Sequence, residues 1–213
     1  YPINQAYFGQ SISLSADGNL LAVGAPGESS SATGINGDQA DTSVHRAGAV
    51  YVFARDTYWR QQTYIKSSKS TEQARFGSSV AMAADGRTLA IGAPGESSGT
   101  TGINGDQADT SAPYSGAAYL FISSGATWSQ HAYVKASNTA QFDNFGSSVA
   151  LSGIGDTVAV GALNETSNGT GINNAPGIRS LVRAGAAYVF TRANGTWSQQ
   201  AFIKASNTSQ DDW

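Results

Sequence analysis

The chain has 213 residues, no cysteine, a formal net charge of −3 and a pI near 5.2. Lack of cysteine excludes a disulfide scaffold, a thiolate zinc site and a cysteine nucleophile. The twelve Lys and Arg are scattered, which argues against a nucleic-acid partner, since phosphate binding needs clustered cations.

The length suits one large or two small domains. Charged residues are only 13% of the chain, and 25 glycines stand among many Ser, Thr, Asn and Gln, as in a secreted or surface β-protein with tight turns. No apolar run approaches a membrane span. The chain opens at Tyr1-Pro2 without a visible leader and reads as a processed product or an excised piece.

Taken in chain order, one pattern occurs three times. Phe8-Gly9, Phe76-Gly77 and Phe145-Gly146 open units spaced 68 and 69 residues apart. A first short run follows: Gln10 to Leu14, Ser78 to Met82, Ser147 to Leu151. Asp17-Gly18 and Asp85-Gly86 mark a turn. A second run ends in Gly24-Ala25-Pro26, Gly92-Ala93-Pro94 and Gly161-Ala162. After a long loop comes a third run, Ala49 to Phe53, Ala117 to Phe121 and Ala186 to Phe190. The fourth begins at a tryptophan and ends at a lysine: Trp59 to Lys66, Trp128 to Lys135, Trp197 to Lys204. Asn194-Gly195 marks the last hairpin turn, and the single-residue difference in unit length falls in the same hairpin of the first unit.

All four runs alternate apolar with small or polar residues, and no sustained helical period intervenes. The fold expected is all-β: three four-stranded antiparallel blades of a β-propeller, at 1–75, 76–144 and 145–213. A solenoid would have a shorter period.

Phe-Gly, a small apolar strand, a Gly-Ala-Pro corner and an Ala-Val-Tyr-Val-Phe strand in fixed order resemble the FG-GAP repeat of integrin α-subunits. In all three units the Phe precedes the Gly of Gly-Ala by sixteen residues. The resemblance covers the whole chain. It implies a seven-bladed type of propeller and a place in cell adhesion, and bacterial surface and secreted proteins that look like this carry such repeats in longer arrays. Three blades cannot close that ring, so the segment is either part of a larger propeller or closes by oligomerising. Trp213 falls one residue before the place of a fourth Phe-Gly. The integrin calcium loop lies between the first two strands, but here that turn holds a single acid, Asp17, Asp85 or Asp156. Calcium takes six to eight oxygens, so that site is absent as written.

The informative loop joins the second and third runs, from Gly24 to Gly48, Gly92 to Gly116 and Gly161 to Gly185, and is longer than usual connections. Units one and two share Gly-Glu-Ser-Ser and Thr-Gly-Ile-Asn-Gly-Asp-Gln-Ala-Asp-Thr-Ser, whereas unit three replaces the acids with Asn174, Ala175 and Pro176. Asn36, Asp38 and Asp41, with Asn104, Asp106 and Asp109, are the candidate ligand face. Two readings apply to them. They are loop-internal caps on nearby amides, or they form calcium sites in which Glu28 joins Asp38 and Asp41, and Glu96 joins Asp106 and Asp109.

Trp59, Trp128 and Trp197 share one repeat position, as do Tyr51, Tyr119 and Tyr188. Identical placement favours burial between blades over a sugar-stacking surface. Lys66, Lys135 and Lys204 coincide as well and read as exposed strand-end charges that blunt edge pairing. Asn164, Asn168, Asn194 and Asn207 start glycosylation-type triplets, which matter only in a glycosylating host.

Neither His45 nor His131 belongs to a nucleophile motif. An enzyme would show single, non-repeated acids or histidines converging in the channel, but the acids here repeat blade by blade. The function expected is a non-enzymatic extracellular binding or adhesion module for a protein or glycan ligand. A structural repeat of a surface layer or filament, self-associating through open blade edges, is the alternative, and a secreted carbohydrate-active enzyme is third.

Overall fold

The computed structural model describes residues 5–174 and 177–210. The expectations placed on Tyr1-Pro2, on Trp213 and on Ala175 and Pro176 lie outside the described residues. Three antiparallel sheets follow one another along the chain. The first contains β1 (Ser11–Leu14), β2 (Leu20–Ala25), β3 (Ala49–Arg55) and β4 (Trp59–Ile65), in chain order. The second contains β5 (Ser79–Met82), β6 (Thr88–Ala93), β7 (Ala117–Ser124) and β8 (Thr127–Val134). The third contains β9 (Phe145–Leu151), β10 (Thr157–Ala162), β12 (Ala186–Ala193) and β13 (Thr196–Lys204), with a two-residue strand, β11 (Gly171–Ile172), added outside β13. This is the expected all-β blade architecture. Among the described residues no helix is long and apolar enough to cross a membrane.

Turn chemistry sets the hairpins. Asn194 and Gly195 both have positive φ (50° and 80°), the backbone of a tight two-residue turn between β12 and β13. Asp17 accepts from the Asn19 amide at 3.0 Å and from the Ser15 hydroxyl, closing the turn between β1 and β2 on itself.

The Phe-Gly and Gly-Ala words meet at the seams between blades. A Cβ on Gly24 would lie 2.1 Å from the Gly77 carbonyl oxygen, and one on Gly92 would lie 2.0 Å from that of Gly146. The first strands of the first two blades also tie themselves to the next blade, with Ser11 Oγ donating to Gly77 O at 2.8 Å and Ser79 Oγ to Gly146 O at 2.9 Å. Phe76 packs edge-on against Tyr119 and Phe121, and Phe145 against Tyr188 and Phe190 in the same geometry.

Two apolar cores result, one in each seam. Val50, Val52 and Ile65 of the first blade meet Val80, Met82 and Trp128 of the second. Leu120 and Val134 of the second meet Phe145, Val158 and Trp197 of the third. The tryptophans divide by position. Trp128 and Trp197 are 2% and 4% exposed, as expected for inter-blade core, but Trp59 is 43% exposed and stacks under the Arg55 guanidinium. Among the described residues no blade packs against the first tryptophan.

Gly92→Ala should therefore destabilise by about 1–3 kcal/mol or more, because the methyl group meets backbone that cannot rotate away. Trp128→Ala should cost ~3–5 kcal/mol, and Trp59→Ala about 1 kcal/mol or less. Urea denaturation of the three variants checks this order, and equal costs at both tryptophans would contradict the seam assignment.

Candidate functional site

Each long loop leaves the Gly-Ala corner at the same end of its blade and dips inward before it turns out. The inward residue is a glutamate. Glu28, Glu96 and Glu165 are buried, and each takes the lysine that ends the outer strand of its own blade. Lys66 Nζ lies 2.6 Å from Glu28 Oε2, Lys135 Nζ 2.8 Å from Glu96 Oε2, and Lys204 Nζ 2.8 Å from Glu165 Oε2. The lysines are not the exposed edge charges expected from sequence; Lys66 and Lys135 have no exposed surface. Burial pulls both ammonium groups below the ordinary lysine range, and the facing glutamates oppose that shift.

The second carboxylate oxygen of each pair is also employed. Glu28 Oε1 accepts from the Ser30 amide at 2.8 Å and Glu96 Oε1 from Ser98 at 2.9 Å. Lys135 donates further to Ser115 Oγ at 2.8 Å and Gly116 O at 2.6 Å, which pins the far end of the loop. Burial, and then the neighbouring glutamate charge, raise the Tyr64 and Tyr133 hydroxyls well above the ordinary tyrosine value, so both remain protonated.

The Gly-Ile-Asn word does what had been assigned to lysine. It pairs with the outer strand, as β11 in the third blade and as single bridges from Ile35 to Ile65 and Ile103 to Val134 in the others. Asn36, Asn104 and Asn173 all take the left-handed conformation, with φ of 54° to 55°. Each donates its amide to, and accepts with Oδ1 from, one outer-strand residue: Tyr64, Tyr133 or Phe202. The loop thus covers part of the edge that would otherwise be open.

The acids stay local. Asp38 and Asp106 cap the Ala40 and Ala108 amides at 2.8 Å. Asp41 accepts from the Ser31 amide at 2.6 Å and from Ser43, and Asp109 from the Gly99 amide at 2.7 Å and from Ser111. The arrangement is that of the capping reading. The residues named for calcium are not brought together: Glu28 and Glu96 face ammonium groups, and among the described residues no group of three or more such side chains could hold a metal ion.

The third loop differs. Arg179 forms a two-point contact with the buried Asp143, at 2.8 and 3.0 Å, in the linker between the second and third blades. Burial pushes the Asp143 carboxyl up and Arg179 opposes it. Asn138 of the same linker donates to Glu165 Oε1 at 3.0 Å. Sequence reasoning missed this cluster, which has no counterpart in the other units. It also missed the Lys–Glu pairs, although Glu and Lys recur in every unit at separations of 38, 39 and 39 residues.

Where the first loop meets the innermost strands, Tyr7, Gln10, Pro26, Arg46 and Arg75 line a cleft of about 240 Å³. The Arg46 guanidinium lies 5.8 Å from the centre of the Tyr7 ring. Neither arginine joins an ion pair among the described residues. At the next seam Tyr114 and Asn144 stand in their places, so the charge belongs to the first seam.

Lys135→Met leaves a buried carboxylate without its cation and should cost about 3–5 kcal/mol; adding Glu96→Gln should recover a large part of that loss. A double-mutant cycle by urea denaturation checks this. The Asp41 and Asp109 carboxyls are held below the ordinary range, chiefly by the Ser31 and Ser111 side chains. A lowered folded pKa gives stability that is complete above about pH 4 and is lost as pH falls through the folded value. The melting temperature should therefore drop on acidification from about pH 5 to about pH 2, with a shallower drop in Asp41→Asn/Asp109→Asn.

The model of the FG-GAP repeat matches residues 59–121 and 128–190. Both segments run from the outer-strand tryptophan of one blade through the first three strands of the next, so each spans one of the seams described above. No curated protein matches the chain. Among solved structures it is similar to the Saccharomyces cerevisiae protein of "Crystal structure of the Saccharomyces cerevisiae Sqt1", with a TM-score of 0.47 and 10% identity over 96% of this chain. This chain spans 38% of that one. The matched repeat segments take in more than half of the residues, and the chain belongs to the FG-GAP repeat family.

Proposed function

We propose that the chain is a non-enzymatic, extracellular binding or adhesion module that takes a protein or glycan ligand on its loop face. FG-GAP propellers support protein-interaction modules in general. The observation that carries the reading is the cleft at the inner border of the loop face. It presents Arg46 and Arg75 without carboxylate partners, in a chain whose net charge is −3. Two guanidiniums beside a tyrosine ring suit a carboxylate, from an acidic side chain or an acidic sugar.

The loops support such a role. Buried Lys–Glu pairs and Asp caps fix their backbones, so little conformational entropy is lost on binding. Thr33, Thr42, Thr101 and Thr110 of the first two loops are exposed to water. Support for an extracellular setting comes from the low charged fraction and the family.

Screening the chain against arrayed surface proteins and acidic glycans should return ligands whose affinity falls at least about tenfold in Arg46→Glu/Arg75→Glu. Asp56→Lys, on a distant hairpin, should leave the affinity unchanged. Ligands that bind the arginine variant with unaltered affinity would overturn the assignment to this cleft.

A further inference from the structure

The third blade differs from the other two in what meets its buried glutamate. In each blade one carboxylate oxygen takes the lysine, and the other accepts a backbone amide, from Ser30, Ser98 or Ser167. In the third blade a side-chain amide joins them. Glu165 Oε1 also accepts from Asn138 Nδ2 at 3.0 Å, while Oε2 accepts from Lys204 Nζ at 2.8 Å. One carboxylate therefore holds a primary amine on one oxygen and a primary carboxamide on the other. The carbonyl oxygen of that carboxamide, Asn138 Oδ1, accepts from the Tyr188 hydroxyl at 2.6 Å. These partners fix which way the amide points, since an ionised carboxylate only accepts.

The setting is closed to water. Lys204, Glu165 and Tyr188 are 4%, 0% and 0% exposed. Burial, and then the Glu165 charge, keep the Tyr188 hydroxyl protonated and able to donate. The Arg179 guanidinium donates to the Asn138 backbone carbonyl and holds the linker against the blade. In the preceding linker Lys69 stands where Asn138 stands here, and it turns away to donate to Ala108 O.

A nucleophilic amine, a base that touches both that amine and the leaving nitrogen, and a donor on the carbonyl oxygen are the parts needed for acyl transfer. We propose that the chain joins Lys204 to Asn138 by an amide bond between their side chains, with Glu165 as proton carrier and Tyr188 as oxyanion donor. Lys204 Nζ passes one proton to Glu165 Oε2 and attacks Asn138 Cγ with the freed lone pair. The carbonyl π pair moves onto Oδ1, where the Tyr188 hydroxyl stabilises it. Glu165 hands its proton to Nδ2 and takes a second from Nζ. Collapse of the oxyanion then breaks the Cγ–Nδ2 bond and expels ammonia, which carries the second proton away as ammonium. An ammonium side chain and a carboxamide become an amide and free ammonium, and Glu165 ends as the carboxylate it began as. No further reactant is consumed. The bond ties the end of β13 to the linker that precedes β9. It is a single reaction of the chain on its own residues and is independent of the ligand reading of the loop face.

Intact mass spectrometry of the folded chain, followed by tryptic mapping, tests this. The chain should be lighter than its sequence by one ammonia. Trypsin should cut after Lys66 and Lys135 but not after Lys204, and the peptides holding Lys204 and Asn138 should travel as one species. Asn138→Ala and Glu165→Gln should show the full mass of their sequences. Tyr188→Phe keeps the ring in the core and should slow joining in freshly synthesised chain by ~100-fold. A wild type at its full sequence mass would overturn the proposal, however the variants fold. So would an ammonia loss that maps to another asparagine, or joining in Glu165→Gln at the wild-type rate.

Discussion

Two backbones approach so closely at each seam that a Cβ has no room. The Gly77 carbonyl stands 2.1 Å from where a Cβ on Gly24 would be, and the Gly146 carbonyl 2.0 Å from one on Gly92. That contact brings the innermost strands near enough for Ser11 and Ser79 to donate across the seam. It also closes the aromatic and aliphatic side chains into the core between blades. The family's signature words are the residues of this contact, read once from each side.

Outside the seam, a second constraint holds the loops. A connection of this length would ordinarily lose its own ordering entropy without return. Here it carries a glutamate into the blade, where the outer strand supplies a lysine. Isolated buried charges would be costly, but each carboxylate also accepts a backbone amide, and the ammonium of Lys135 donates to three acceptors. The pair fixes the start of the loop to the end of the strand. The Gly-Ile-Asn segment then adds itself to the outer strand through both faces of one asparagine. With the base fixed, the acids at the loop tips need only cap local amides.

The repeat is regular in its frame and irregular on its surface. Arg46 and Arg75 face a cleft at the first seam, whereas the second has Tyr114 stacked on Phe142 at 5.9 Å. The third loop gives up the shared acids and fastens itself to the preceding linker through Arg179 and Asp143. Features that would distinguish a ligand lie in these departures, because positions shared by all three blades are already occupied by packing and capping.

The sequence by itself determined the strands, their order, the hairpin turns and the blade class, because alternation, turn residues and repeat spacing are local properties. The loop acids were legible as caps for the same reason, their partners being within a dozen residues. The role of the lysines was not. A lysine at a strand end is ordinarily solvated, and only the tertiary structure places a glutamate 38 or 39 residues away against it. Trp59, Trp128 and Trp197 are equivalent in sequence, yet the first is half-exposed because burial there depends on a preceding blade. Pairings across a seam or between a loop and a distant strand are fixed by geometry that no local pattern encodes.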